Sequence, residues 1–180
     1  GEMGASTVIV HPGHCQADSM EEGLKRASDC ITAVLSGAPP EVGLCLEMGS
    51  GGATAVGTAA HFREILDLTR GHPRLRIWLD TAHAFGAGYD LRGKEGVEKL
   101  VEDFRKAVGL ERVAGLHAND SKEECGSLHD RHENIGEGKI GLDGFRLMIR
   151  HPFLRTLPFI AETPGFDQNG PDKKNLDLLK

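Results

Sequence analysis

Apolar residues along the chain form five short runs, and stretches with helical periodicity separate them. The runs carry many β-branched residues and mostly lack strict alternation, as expected of strands that are buried on both faces. They are Thr7–Val10, Gly43–Leu46, Leu75–Leu79, Val113–Leu116 and Pro158–Ala161. The pattern therefore predicts five strands.

The segments between these runs predict helices. Ser19 is a suitable N-cap, and Glu22 follows it at capping-box spacing. Val97, Leu100 and Phe104 recur at the spacing of one helical face. The predicted helices are Ser19–Leu35, Thr58–Thr69, Gly96–Val108 and Gly141–Ile149, and the C-terminal DKKNLDLLK is predicted to begin another.

The alternation of strands and helices predicts one α/β domain over residues 7–180, preceded by a flexible lead of residues 1–6. Such alternation implies parallel strands joined by right-handed crossovers. An open doubly wound sheet and part of a (β/α)8 barrel both fit this order. Because a complete barrel needs roughly 250 residues, 180 residues leave room for about five of its eight units.

The composition of the chain limits the cellular compartments in which we expect the protein. The sequence has no run of about 18 apolar residues that could span a membrane and no signal peptide, so we expect neither a membrane nor a secreted protein. Cys15, Cys30, Cys45 and Cys125 form no C-x-x-C pair, which favours free thiols in a reducing compartment. These features predict a cytoplasmic protein, or a nuclear one in a eukaryote.

A possible metal ligand follows every predicted strand, and further candidates follow in the adjoining loops. The carboxyl ends of parallel strands share one face, where such proteins build their sites. Taken singly, each residue has an ordinary alternative, because an acid there is commonly an N-cap and a histidine a hydrogen-bonding group. The residues are His11, Glu47, Asp80, His83, His117, Asp130, His132 and Glu162.

Together, four carboxylates and four imidazoles predict a multinuclear metal site. The mixed nitrogen and oxygen donors suit zinc, with manganese or iron as alternatives. The chain has 21 basic and 27 acidic residues and a net charge of -6, which argues against nucleic-acid binding. Three divalent cations would outweigh four carboxylates and turn the site positive, which removes that objection.

Five segments, taken in order, resemble the endonuclease IV family of apurinic/apyrimidinic endonucleases. They are HPG after the first strand, DTAHAFGAGYDL, LHANDSK, DRHENIGEGKIG and AETP. The resemblance implies a (β/α)8 TIM barrel, here a partial barrel of about five βα units that lacks the N-terminal three. It also implies a zinc-dependent hydrolase that cuts DNA 5′ to abasic sites during base excision repair.

The resemblance also implies residue roles. The first zinc would be held by His11 and Glu47, the second by Glu47, Asp80, His117 and Glu162, and the third by His83, Asp130 and His132. Glu47 would also accept a proton from the attacking water. Residues that would contact DNA or support the ligands are Arg131, Asn119, Asp120 and Lys122. For Arg131 an ion pair that orients its loop remains an alternative, and for Lys122 simple surface solvation.

The missing N-terminal units carry consequences. The resemblance implies that these units hold a further ligand of the first zinc, so we expect that site to be weakened and this chain alone to have impaired or no nuclease activity. Two exposed sheet edges are also expected, covered either by a missing N-terminal segment or by self-association. Two other functions remain open. One is a metal-dependent sugar isomerase or epimerase, which has no use for the ligands of the DRH loop (Asp130, Arg131 and His132). The other is a non-catalytic zinc-binding remnant.

Overall fold

The computed structural model describes residues 4–13, 19–52 and 55–180. Residues 1–3 of the predicted lead, and Cys15, lie outside these ranges. The parallel strands are β1 (Thr7–Val10), β2 (Gly43–Glu47), β3 (Leu75–Asp80), β4 (Val113–His117) and β7 (Phe159–Ile160), and a short antiparallel pair consists of β5 (Asp120–Ser121) and β6 (His132–Glu133).

Within the described ranges, six α-helices connect or follow these strands. The predicted cap of the first is confirmed, because Ser19 Oγ accepts a hydrogen bond from the Glu22 N–H. The helices are α1 (Met20–Gly37), α2 (Ala59–Leu68), α3 (Thr81–Gly86), α4 (Lys94–Val108), α5 (Gly141–Arg150) and α6 (Lys173–Leu178). Helix α3 was not predicted from the sequence, because six residues are too few to show a helical period.

The order of the strands distinguishes between the two architectures. The five parallel strands lie side by side in sequence order, β1-β2-β3-β4-β7. With right-handed crossovers, an order without reversal places all connecting helices on one face of the sheet. Accordingly α1 packs on α2, α2 on α4 and α4 on α5. This is the arrangement of a barrel wall, whereas a doubly wound sheet reverses its strand order.

The hydrophobic core lies between the sheet and these helices. Leu46, Ile77 and Leu116 are fully or almost fully buried on the helix side of the sheet. Phe62 of α2 and Phe104 of α4 bring their rings to 5.9 Å. The other face of the sheet carries the polar residues of the strand ends.

Trp78 occupies this second face, beside the candidate ligands. Its strand partners are Glu47 on β2 and Gly115 on β4. The ring lies over Gly115, where an added Cβ would stand 2.2 Å from Trp78 Cη2. It also approaches the ring of His117 to 5.5 Å. Because Gly115 has no side chain, the indole of Trp78 can pack against its backbone just below the strand ends.

Gly115→Ala is expected to destabilise the fold by about 1–3 kcal/mol, because overpacking a filled core forces side chains and backbone to shift. Urea denaturation of the metal-free protein measures the change. In the double variant Gly115→Ala/Trp78→Leu the added methyl group meets a smaller side chain, so the cost of Gly115→Ala should shrink. An equal cost with tryptophan and with leucine at position 78 would contradict this explanation.

Both edges of the sheet expose apolar side chains. On β1, Val8 is 46% and Val10 36% exposed, and on β7 Ile160 is 44% exposed. What covers these edges in the functional protein stays a prediction. Separately, no helix in the described part of the chain is both long enough and apolar enough to cross a lipid bilayer.

Candidate metal centre

Three of the predicted ligands are the final residues of hydrogen-bonded strands. Glu47 ends β2, Asp80 ends β3 and His117 ends β4, so each strand extends one residue beyond its predicted end. Asp80 and His117 are register partners. Because the sheet fixes their backbones, the side chains converge: His117 Nδ1 lies 2.7 Å from Glu47 Oε1 and 3.2 Å from Glu162 Oε2.

Helix α3 brings His83 to the same place. Asp80 caps this helix, and its Oδ1 accepts a hydrogen bond of 2.9 Å from the His83 N–H. The helical turn then places the His83 ring inside the protein, with Nδ1 at 3.6 Å from Glu47 Oε1. On its far side, His83 Nε2 lies 3.1 Å from Asp130 Oδ2. One local motif, DTAH, thus supplies both a strand-end carboxylate and a buried imidazole.

The loop that carries Asp130 and His132 is organised by a buried carboxylate. Asp120, which is fully buried, accepts hydrogen bonds from the backbone N–H groups of Ser121, Gly136, Gly138, Ile140 and Gly141. Burial raises the pKa of the Asp120 carboxyl, and several of these N–H donors oppose that shift. The Asp120 carboxylate therefore stabilises the loop backbone from inside the protein and does not face the surface.

A second network ties this loop to the C-terminal helix. Asn175 of α6 is fully buried. Its Oδ1 accepts a hydrogen bond from the Ile135 N–H, and its Nδ2 donates to Asn134 Oδ1. Asn134 in turn donates to the carbonyl of Gly165. Sequence reasoning missed these two asparagines, because no local pattern reveals a partner 41 residues away.

The structure gathers seven of the eight predicted ligands into three groups. In each group, one donor atom per residue lies within 4.8 Å of the others. The groups overlap, because Glu47, Asp80 and His83 each belong to two of them. They are His11, Glu47 and His83; Asp80, His83 and His132; and Glu47, Asp80, His117 and Glu162.

Asp130 contacts both imidazoles of its predicted group but is not a member of the three close groups, and its role as a ligand stays a prediction. Its oxygens lie 3.1 Å from His83 Nε2 and 3.2 Å from His132 Nε2, yet the three groups leave it out. Asp80 joins His83 and His132 instead, with Oδ2 at 3.9 Å from His132 Nε2. The Asp130 side chain is half exposed, so it stands at the rim of the cluster.

The carboxylates perturb the neighbouring imidazoles. Burial alone lowers the pKa of His83, but the charges of Asp80, Asp130 and Glu47 raise it to about 9. Burial also lowers the pKa of His132, but Asp130 and Asp80 outweigh it, so the pKa of His132 is raised above its usual value. The pKa of Asp130 is held well below its usual range by hydrogen bonds to His132 and His83. A cation that binds here must displace protons from these groups.

The donor set fits divalent metal ions. His83 Nδ1 is buried and has no hydrogen-bond partner among the described residues, although two carboxylates lie within 4 Å. Three carboxylates, those of Glu47, Asp80 and Glu162, share one group and repel one another unless protons or cations neutralise them. Imidazole nitrogens combined with carboxylate oxygens are the donors that zinc accepts, and manganese and iron also accept them.

The remaining predicted residues occupy three different positions. Asn119 lies under the cluster, where its Nδ2 donates to Asp80 Oδ2 at 2.7 Å. Lys122 is exposed, with Nζ at 3.9 Å from Glu133 Oε2. Arg131 is also exposed, and it forms no ion pair with the residues that the structure describes. Its predicted role at the DNA backbone stays a prediction.

Comparison with known proteins identifies the family of the chain. A protein family described as "Xylose isomerase-like TIM barrel" matches residues 1–180. The chain belongs to this family. The TIM-barrel fold predicted above is thereby confirmed, and so is the partial-barrel arrangement of strands and helices.

Several relatives at 37–40% identity carry the name endonuclease 4, which confirms the predicted resemblance. A "Probable endonuclease 4" of Halothermothrix orenii is 37% identical over 179 residues, covering 99% of this chain and 64% of the relative. The crystal structure of endonuclease IV from Thermus thermophilus matches with a TM-score of 0.77 at 35% identity, covering 98% of this chain and 61% of that one. The chain thus spans less than two thirds of the relatives' length.

A more distant structural match concerns the fold alone. A D-tagatose 3-epimerase-like protein superposes with a TM-score of 0.71 at 20% identity, covering 99% of this chain and 62% of that one. At this identity the likeness shows a shared TIM-barrel architecture, and fold by itself does not define a function.

Proposed function

We propose that this chain is the metal-binding part of a DNA-repair endonuclease that hydrolyses the phosphodiester 5′ to abasic sites. The observation that carries the proposal is the overlapping cluster of three ligand groups at the strand ends. The relatives named endonuclease 4 support the same activity. DNA containing abasic sites is therefore the proposed substrate, with zinc as the proposed metal and manganese as the alternative.

Different residues have different roles in the proposed hydrolysis. Bound divalent cations would supply Lewis-acid stabilisation of the phosphate and lower the pKa of a coordinated water. Glu47 belongs to two of the groups, and we assign to its carboxylate the acceptance of a proton from an attacking water. Arg131 lies exposed beside the site, where its guanidinium can pair with a backbone phosphate. The proposed assignment needs no protein nucleophile.

The two alternative functions, a sugar enzyme and a non-catalytic remnant, predict different properties of the site. A sugar isomerase or epimerase would share the fold, which the epimerase-like match already accounts for, but it would leave His132 and Asp130 without a role. A non-catalytic zinc-binding remnant would bind metal and incise no DNA under any condition. We favour the endonuclease because the DRH loop is part of the cluster and because the named relatives are endonucleases.

The experiment combines elemental analysis with an incision assay on a duplex oligonucleotide that holds one abasic site. Because the chain spans only 64% of the length of the Halothermothrix orenii relative, we expect the purified 180-residue chain to bind zinc and to incise weakly or not at all. Supplying the part of the Thermus thermophilus enzyme that this chain does not match should restore incision. Tryptophan fluorescence provides a metal readout in the same samples, because the sole tryptophan, Trp78, lies 5.5 Å from His117.

A Glu162→Gln variant, tested with the same added segment, is the control for contamination by the donor fragment. Efficient incision by the 180-residue chain alone would contradict the expected impairment. Zinc binding without incision in the complemented sample would favour the non-catalytic remnant, and epimerisation of a ketohexose would favour the sugar enzyme. Absence of metal binding would overturn the proposed function altogether.

A further inference from the structure

Thr81 lies immediately behind the cluster and has no role in the proposed chemistry. It follows Asp80 directly and is only 2% exposed. Its Oγ1 donates a hydrogen bond to the Asn119 carbonyl at 2.6 Å and accepts one from the Asn119 N–H at 2.8 Å. The regular pairing of β3 with β4 stops at His117. The hydroxyl therefore continues the connection between the two strands just beyond the sheet.

The Asn119 side chain extends this connection to two candidate ligands. Its Nδ2 donates to Asp80 Oδ2 at 2.7 Å, and its Oδ1 accepts from the Glu162 N–H at 2.8 Å. Asn119 is fully buried, so both ends of its amide are satisfied within the protein. One side chain thus joins the ends of β3 and β4 to the segment that follows β7.

The position of Asp80 depends on this chain of contacts. Its Oδ1 is held by the His83 N–H at 2.9 Å, and its Oδ2 is held by Asn119. With one donor on each oxygen, the carboxylate plane is fixed before any cation arrives. Asp80 and Glu162 belong to the same candidate metal group, so a shift of Asn119 would displace two of its four members together.

We propose that Thr81 is a positioning residue of the candidate metal centre, acting through Asn119 to hold Asp80 and Glu162 at metal-binding separation. This inference rests on the proposed function, because it assumes that the cluster binds metal. Thr81 itself contacts no donor atom of the metal. Its hydroxyl fixes the backbone of Asn119, and the Asn119 amide transmits that constraint to the ligands.

Thr81→Val preserves the shape of the side chain and removes the hydroxyl. The Asn119 N–H and carbonyl then lose a buried partner, and the backbone must move to regain one. Outer partners of metal ligands typically contribute about 10- to 100-fold to metal affinity. We expect Thr81→Val to weaken binding at the group that holds Asp80 and Glu162 by roughly 10- to 100-fold. Thr81→Ser keeps the hydroxyl and should bind metal nearly as the parent does.

The matched control is Thr69→Val. Thr69 is also a buried threonine, and its Oγ1 donates to the carbonyls of Ile65 and Leu66 at the end of α2. Its loss removes buried hydroxyl hydrogen bonds without touching the cluster. Zn²⁺ and Co²⁺ titrations of the full chain, followed by calorimetry and by Trp78 fluorescence, measure affinity. Urea denaturation in the presence of a chelator measures the stability of each metal-free variant.

The expected result is weakened metal binding in Thr81→Val, its rescue in Thr81→Ser and unchanged affinity in Thr69→Val. Equal affinity in Thr81→Val and in the parent would overturn the inference and leave the proposed function intact. If the parent binds no metal, the proposed function and the inference both fail. Should Thr81→Val not fold, Thr81→Ala repeats the test. If neither folds while Thr69→Val does, the hydroxyl serves folding and the positioning role is rejected.

Discussion

Replacing Glu47 with glutamine is expected to remove metal from most of the cluster while leaving the metal-free fold nearly unchanged. Glu47 contributes to two of the three ligand groups, and a neutral amide is a far poorer ligand than a carboxylate. Even the outer partners of ligands contribute about 10- to 100-fold to metal affinity, so loss of a shared ligand should cost more than about 100-fold. Elemental analysis and Zn²⁺ calorimetry measure the loss.

The metal-free protein should respond differently. Glu47 is one of three carboxylates that repel one another in the same ligand group, and glutamine removes one of these charges while keeping nearly the same shape. The contact of its Oε1 with His117 Nδ1 at 2.7 Å is weakened, so the two effects oppose each other in the free energy of unfolding. Glu162→Gln, which alters only one group, should retain more metal than Glu47→Gln. Equal metal content in the two variants would refute the shared position of Glu47.

Replacing Asp120 with alanine should have the largest effect on stability. Five backbone N–H groups lose their acceptor, and three of them, those of Gly136, Gly138 and Ile140, belong to the loop segment that follows His132. Because each unsatisfied buried donor costs about 1–3 kcal/mol and some of these groups can regain water, we expect a total loss of roughly 3–5 kcal/mol. Urea denaturation of the metal-free chain provides the measurement.

Two further variants make the Asp120 prediction specific. Asp120→Asn retains one acceptor oxygen, so its loss of stability should be smaller than that of alanine. Asp143→Ala removes an exposed carboxylate that pairs with Arg146 at 2.7 Å, and such surface changes usually stay within about 0.5 kcal/mol. If Asp120→Ala unfolds at the same urea concentration as Asp143→Ala, the carboxylate does not organise the loop.

Much of this arrangement could be predicted from the chain because its chemistry is local to the strand ends. Glu47, Asp80 and His117 stand directly at the ends of apolar runs, so the sheet alone brings them together. The predicted strands and the four internal helices occur near their expected positions. The antiparallel pair β5 and β6 was not predicted, since two-residue strands show no periodicity.

What the sequence could not provide is the set of contacts between distant segments. Thr81 meets Asn119 across 38 positions, and nothing near either residue indicates the pairing. Asp120 was expected to accompany the ligands, whereas its carboxylate faces the loop backbone. Asp130 was grouped with His83 and His132, and the structure adds Asp80 to that pair. Each difference depends on how a loop returns to the sheet, which propensity and pattern do not specify.

The candidate ligands come from two parts of the protein that are held by different hydrogen bonds. Glu47, Asp80 and His117 are carried by central strands, whose amide protons should exchange slowly with solvent because they open only when the sheet does. His132 is carried by β6, which pairs with β5 in a separate two-stranded sheet and not with the central strands. An ion shared by His132 and Asp80 would join the small sheet to the central one, so that the two could separate only after the ion is released.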